Sequence, residues 1–117
     1  MSLSGTIENA KIESTALTMA DHGVLCFYLT LRMCGAGVNY GGYVLGQGYL
    51  GAKEFKGDEK GIEAIMRIMD VVGVSKWEDL SGKYCRIVSN GLGRTIDKIG
   101  NIIENKWFDA KEFWKDK

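Results

Sequence analysis

The chain contains no proline, against a usual share of about 5%. No residue therefore withholds a backbone N–H from a ladder, and long strands are open to it. It has one histidine, His22. Ser/His/Asp and Cys/His catalysis would both have to run through that residue, which stands beside Asp21 in Met19-Ala20-Asp21-His22-Gly23, a stretch with turn chemistry. The three cysteines, Cys26, Cys34 and Cys85, are odd in number and lack C-x-x-C spacing. That pattern argues against a zinc site and fits free thiols in a reducing compartment. An excess of either charge is missing too, with 15 basic and 15 acidic side chains. Duplex DNA needs an uncompensated cationic field, so a duplex partner is not expected. No apolar run approaches the roughly 18 residues of a membrane span. The start, MSLSGTIENAK, shows no basic segment leading into an apolar one, so no secretory signal is expected. The expected setting is a cytoplasm, with no membrane partner.

Glycine is what the chain has in plenty. Nearly half of its 16 glycines fall between Cys34 and Lys53, in CGAGVNYGGYVLGQGYLGAK, threaded with three tyrosines and Asn39. Such a stretch is either a strand whose backbone is closely approached at a sheet or subunit interface, or a run of amides lining a polar ligand site. Asn39, Tyr40, Gly41 and Gly42, at its centre, are candidate ligand contacts. Within it GQGYLG, residues 46–51, matches G-x-G-x-x-G in form only. A dinucleotide fingerprint joins a strand to a helix inside a βαβ unit, and this one runs within a strand. Gly82-Lys83 is followed by Tyr84 and is no phosphate loop.

The pattern of elements predicts one domain over residues 1–117. Gly5 to Thr18 is strand-prone, with a bulge expected near Asn9–Lys11. Val24 to Cys34 alternates at period two, placing Leu25, Phe27, Leu29, Leu31 and Met33 on a core face. The opposite face is mixed and open to half-coverage by a partner subunit. Tyr40 to Leu50 reads as a third strand with Tyr43, Leu45, Gln47 and Tyr49 on one face. Gly46 and Gly48 on the other leave a groove for a second element or a ligand. Asp58 to Val72 is a helix: Asp58 caps it, Glu63 and Arg67 pair across one turn, and Gly73 ends it. Its apolar stripe is read as Ile62, Ile65, Met66, Ile68, Met69 and Val72. Ser75-Lys76-Trp77-Glu78 carries the S-x-x-E capping pattern of a short helical turn. Strands are expected at Lys83–Asn90 and Arg94–Ile99, and Asp109 should cap a last short helix through Trp114. The fold class is α+β: a mostly antiparallel β-sheet with one main helix packed on a face and a short C-terminal helix.

No acid–base pair, nucleophile or metal set stands out, so no catalytic residue, metal ligand or cofactor is assigned. Ligand chemistry has better candidates. Arg86, Asn90 and Arg94 bracket a tight turn, which would place two guanidiniums and an amide at one sheet end, a phosphate-holding combination. Trp77 follows the main helix and offers a purine-stacking face; it could equally staple the turn to the core. Taken from the residues alone, a ligand-binding module, a protein-interaction module and an enzyme all stay open.

The runs DHGVLCFYLTL, GAGVNYGGYVLG, VVGVSKWEDLSGK and IGNIIENKWFDAKEFW, in this order and spacing, resemble the phage Thoeris anti-defence 1 family over about Thr6 to Trp114. The resemblance implies a viral anti-defence protein in the host cytoplasm. Such a protein is a sponge that binds glycocyclic ADP-ribose made by TIR-domain defence proteins, does not cleave it, and keeps the Thoeris effector unswitched. It further implies homodimers or hexamers with pockets at subunit interfaces, and for some members cyclic trinucleotides bound at separate sites. Trp77, Arg86, Asn90, Arg94 and the 39–42 segment supply residue types that a cyclic ADP-ribose isomer requires. Two alternatives stand beside it: a protein–protein inhibitor of a host enzyme, and a hydrolase of the same nucleotide.

Overall fold

A strand of 16 residues, β1 (Thr6–Asp21), is shared between two halves of one sheet. In the computed structural model, which describes residues 6–21, 23–33, 35–48, 55–89 and 96–115, its second half pairs with β2 (Val24–Met33) and its first half with β5 (Tyr84–Ser89). β3 (Ala36–Gln47) and β4 (Lys56–Gly57) extend the β2 side; β6 (Ile96–Gly100) and β7 (Trp107–Asp109) extend the β5 side. The spatial order is β4-β3-β2-β1-β5-β6-β7, and every pairing is antiparallel. With α1 (Glu59–Val72) and the short α2 (Ala110–Trp114) the fold is α+β, as expected.

The sheet is coiled. Five strand spacings separate β3 from β7, about 24 Å if the sheet were flat. Yet Trp114, on the five-residue helix that directly follows β7, stacks on Tyr43 of β3 with centroids 4.5 Å apart and planes 15° from parallel. Bulges supply the bend. In β1, Ile12 pairs with Leu31 and Ser14 with Thr30, so Glu13 is the extra residue. The bulge is therefore at Glu13, not Asn9–Lys11. Its carbonyl accepts a hydrogen bond from Ser81 Oγ at 2.9 Å, and Ile12 exchanges backbone bonds with Lys83 and Gly82. In β3, Tyr28 pairs with Gly41 and Phe27 with Tyr43, which leaves Gly42 as an extra residue. Gly41 and Gly42 have φ of 129° and 83°, a region L side chains avoid. This bulge resets the alternation, so Tyr40 and Tyr43 both face the core.

Core side chains follow the period-two reading on β2, where Phe27, Leu29 and Leu31 are fully buried. Ala10, Ile12, Cys85, Ile87 and Ile99 continue the concave face across β1, β5 and β6. Helix α1 closes it with Gly61, Ala64, Ile68 and Val71. Asp58 caps the helix, accepting from Lys60 N at 2.9 Å and Gly61 N at 3.2 Å. Gly73, in the left-handed region, ends it by donating to Met69 O. No helix among the described residues is long and apolar enough to cross a membrane.

Several element readings are corrected. β1 runs on to Asp21 and β3 begins at Ala36, because each hairpin is tighter than the glycines suggest: Asp21 pairs with Val24 and Met33 with Ala36. Gln47 points to solvent, since a second irregularity beside Leu45 switches the faces again. The groove beside Gly46 holds an element, β4, and Gly48 lies beneath the Phe55 ring. Ile62 and Met66 are 51% and 62% exposed. The buried stripe of α1 is rotated toward Gly61 and Ala64, whose small size allows the helix onto the strand. The turn after Gly73 is a 3-10 helix, Trp77–Leu80, with no side-chain cap, so the S-x-x-E pattern does not act as a capping box. β4 and β7 are too short to leave a period-two signal. The expected strand start at Arg94 lies outside the described residues.

Candidate functional site

The coil of the sheet leaves a cleft of about 630 Å³ where β3 meets α2. Gly42, Tyr43, Val44 and Gln47 form one wall, Ala110, Lys111, Trp114 and Lys115 the other, and Asp58 closes one end. Each wall has a local cause. On β3, the Gly41–Gly42 bulge keeps the strand free of side chains just where it turns Tyr43 inward. α2 is started by Asp109, whose carboxylate accepts from Glu112 N at 3.2 Å. Lys60 fixes α2 in place: its Nζ donates to Phe113 O at 2.7 Å and lies 4.1 Å from the Phe113 ring centre. Arg67 covers the same ring at 5.3 Å. Trp114 meets Phe108 and Phe113 edge-on, so its orientation against Tyr43 is held from several sides.

The electrostatics suit an anion at one end of this cleft. Lys111 and Lys115 are one helical turn apart and both line it. Lys115 pairs with Glu112 at 2.9 Å, but both groups are exposed, and such a pair is worth at most about 1 kcal/mol. An incoming phosphate can compete for that ammonium. Tyr43 is held above the usual phenol range, by burial first and then by Asp109 and Asp97. It is a neutral ring and hydroxyl at ordinary pH. Gln47 adds an exposed amide able to donate and accept. A cleft of this size, with a stacked aromatic pair, an amide and two ammonium groups, has the chemistry to hold a nucleotide by base contact, ribose hydrogen bonds and phosphate pairing.

Of the sequence-derived candidates, Gly42 lines this cleft and Gly41 stands beside it in the bulge. The others go elsewhere. Tyr40 is buried in the core, 3% exposed, with no hydrogen-bond partner for its hydroxyl among the described residues and its acidity suppressed, chiefly by burial. Asn39 faces the convex side of the sheet, where its Oδ1 accepts from Thr30 Oγ1. Trp77 lies on the concave side, edge-on to Phe27 with centroids 5.7 Å apart, and its Nε1 has no partner among the described residues. It staples the 3-10 helix to β2, the second of the two roles open to it. Arg86 faces the convex side. Its Nε donates to Asn101 O at 2.7 Å, its Nη2 donates to Glu104 O at 2.8 Å, and it stacks over Trp107 at 5.0 Å. Trp77 and Arg86 are thus on opposite faces of the sheet and share no site. Asn90 and Arg94 lie outside the described residues.

Every cleft residue except Gly42 was missed by sequence reasoning: Tyr43, Val44, Gln47, Asp58, Ala110, Lys111, Trp114 and Lys115. The signal was present in DAKEFWK, where two lysines four apart flank a tryptophan on one helical turn. What the sequence could not show was that the coil brings this last helix against the glycine-rich strand. Among the described residues, no three His, Cys, Asp or Glu side chains group as metal ligands. The chain matches no protein-family model, and no curated protein or solved structure is significantly similar to it.

Proposed function

We propose that the protein is a nucleotide sponge. It takes a cyclic ADP-ribose isomer, glycocyclic ADP-ribose in the first instance, into the cleft between β3 and α2 and withholds it without cleaving it. The proposal places it as a phage protein in the host cytoplasm, keeping the TIR-generated signal from the Thoeris effector. The observation that carries this reading is the cleft: about 630 Å³, with Tyr43 stacked on Trp114 and Lys111 and Lys115 at its side. The Trp114 indole edge and Gln47 serve the adenine, the lysines the pyrophosphate, and Asp58 and the bulge backbone the riboses. Homodimers or hexamers, and binding of cyclic trinucleotides at a separate site, belong to the same proposal.

Calorimetric titration with purified cyclic ADP-ribose isomers, then heat release and chromatography of the nucleotide, tests it. Saturable binding with the ligand returned unchanged is the expected result. Return of a linear product would replace the sponge with a hydrolase. A protein–protein inhibitor draws support from Ile62 and Met66, which α1 presents to solvent. That reading expects no heat with any isomer.

A further inference from the structure

The convex face of the sheet differs in composition from the rest of the molecule. Directly opposed residues on neighbouring strands share a face. Tyr84 pairs with Lys11, and Lys11 with Arg32, so these three stand in one row across β5, β1 and β2. In the same way Arg86 and Trp107 flank Gly100 on β5, β6 and β7, and Lys98 follows beside Val88. The residues between them, Ala10, Ile12, Cys85, Ile87 and Ile99, are buried on the concave side. Although the chain has no net charge, this face gathers Lys11, Arg32, Arg86 and Lys98. Acidic residues adjoin them, Glu104 touching Arg86 through its carbonyl. Glu13 is tied to Arg32 at 2.6 Å, and Asp109, opposite Lys98, caps α2. Lys11 and Lys98 form no close ion pair among the described residues, though Lys11 also acts on the Glu13 carboxylate and Lys98 stands opposite Asp109.

Tyr84 is 57% exposed, with the Lys11 ammonium 5.8 Å from its ring centre. Trp107 lies under the Arg86 guanidinium and close against Gly100. Tyr84 is therefore the open stacking surface, and Lys11 and Arg32 the charges beside it. The row from Tyr84 to Gly37 of β3 crosses three strand spacings, about 14 Å.

We propose that this convex face is a platform for single-stranded nucleic acid, with a base stacked on Tyr84 and the backbone following the row of Lys11 and Arg32. A polyanion accounts for the concentration of cations, and the exposed ring favours unpaired bases over an anionic lipid surface. A duplex hides its bases from such a ring, so single strands are selected over duplexes. The Arg32–Glu13 pair is exposed and weak enough to yield Arg32 to a phosphate. The site is independent of the cleft, which lies where β3 meets α2.

Fluorescence anisotropy with labelled oligouridylate and oligothymidylate of about ten nucleotides tests the proposal. Binding is expected at low salt and should weaken about tenfold over a fourfold rise in salt, the dependence of two to three phosphate contacts on a single strand. Lys11→Glu should lower affinity at least about tenfold, and Tyr84→Ala by a comparable factor. Lys76→Glu, the same charge change on the exposed residue before the 3-10 helix, should stay within about twofold of the parent. Because Lys11 and Tyr84 are exposed, thermal melts should show all three variants folded. Absence of binding at low salt would overturn the proposal. So would equal losses from Lys11→Glu and Lys76→Glu, equal affinity for duplex, or retention by anionic phosphatidylserine vesicles without retention of oligonucleotide. Calorimetry with cyclic ADP-ribose should give the same affinity for Lys11→Glu as for the parent. A loss there would merge this face with the cleft and also overturn the proposal.

Discussion

Gly61→Ala sets two known effects against each other. In a helix interior the exchange favours folding by about 1 kcal/mol, an upper bound for Gly61 in the first turn of α1. Here, however, a Cβ would meet the Val44 carbonyl oxygen and stand 2.8 Å from Leu45 Cα, with the Leu45 side chain at 3.1 Å. Ordinary carbon contacts are about 3.5–4.0 Å. The nearest atoms are backbone of a paired strand, and no rotamer change relieves them. The helix must withdraw by roughly 1 Å, and a gap of that size forfeits a quarter to a half of each contact along Ala64 and Ile68. Overpacking costs about 1–3 kcal/mol, and a clash with unyielding backbone stands in the upper part of that range, at about 2–3, above the propensity gain. A net loss of roughly 1–2 kcal/mol should lower Tm by about 5–10 °C for a domain of this length. The helix start is tied to β3 by Asp58 N donating to Leu45 O at 2.9 Å, so withdrawal also displaces one end of the cleft. Differential scanning calorimetry on the two proteins decides the matter. A Tm equal to or above the parent's would show that α1 does not rest on β3 as described, and propensity would have won.

Trp114→Ala removes the stacked partner of Tyr43 and one cleft wall; nucleotide affinity by calorimetry should fall by at least about tenfold, while loss of a half-buried aromatic costs about 2–4 kcal/mol of stability. Arg86→Ala should act in the opposite proportion. Losing two charged hydrogen bonds to the 101–106 loop should lower stability by about 1.5–3 kcal/mol in urea unfolding, with cleft affinity unchanged. Tyr40→Phe removes a buried hydroxyl with no partner among the described residues and should raise stability by about 1 kcal/mol without altering nucleotide binding; a loss of stability would reveal a hydrogen bond to that hydroxyl. The alkaline limb of stability follows from Cys85, pushed up from 9.0 to about 12 by burial, together with the raised Tyr40 and Tyr43. The folded state keeps these protons where the unfolded state has lost them, so their contribution is whole below about pH 9 and declines as pH rises toward 12. Urea midpoints measured between those values should fall steadily, and a flat profile would contradict the burial of these groups.

Local signals carried much of this fold. The period-two face of β2, the Asp58 cap, the Gly73 terminus and the Asp109 cap each arise from neighbouring residues, and each was legible. What escaped was set by contacts distant in sequence. A bulge in β1 was expected but its place, Glu13, is set by the partner strand; in β3 the period-two reading assumed an unbroken ladder, and the bulge at Gly42 moved its faces. Ile62 and Met66 joined the stripe by hydropathy alone, whereas the strand beneath α1 accepts only Gly61 and Ala64 at its closest point. The site suffered most. Trp77, Arg86 and Asn39 were grouped by chemical type, and the sheet separates them onto two faces. The glycine-rich strand did prove to border a cleft, but its opposite wall comes from α2, more than sixty residues further along the chain.

Amide hydrogen exchange with and without a cyclic ADP-ribose isomer addresses the cleft most directly. Protection should concentrate on two separated segments, Gly42–Gln47 and Ala110–Lys115, which only the coiled sheet brings together. Protection at neither segment, or confined to the Trp77 or Arg86 regions, would contradict the placement of the nucleotide between β3 and α2.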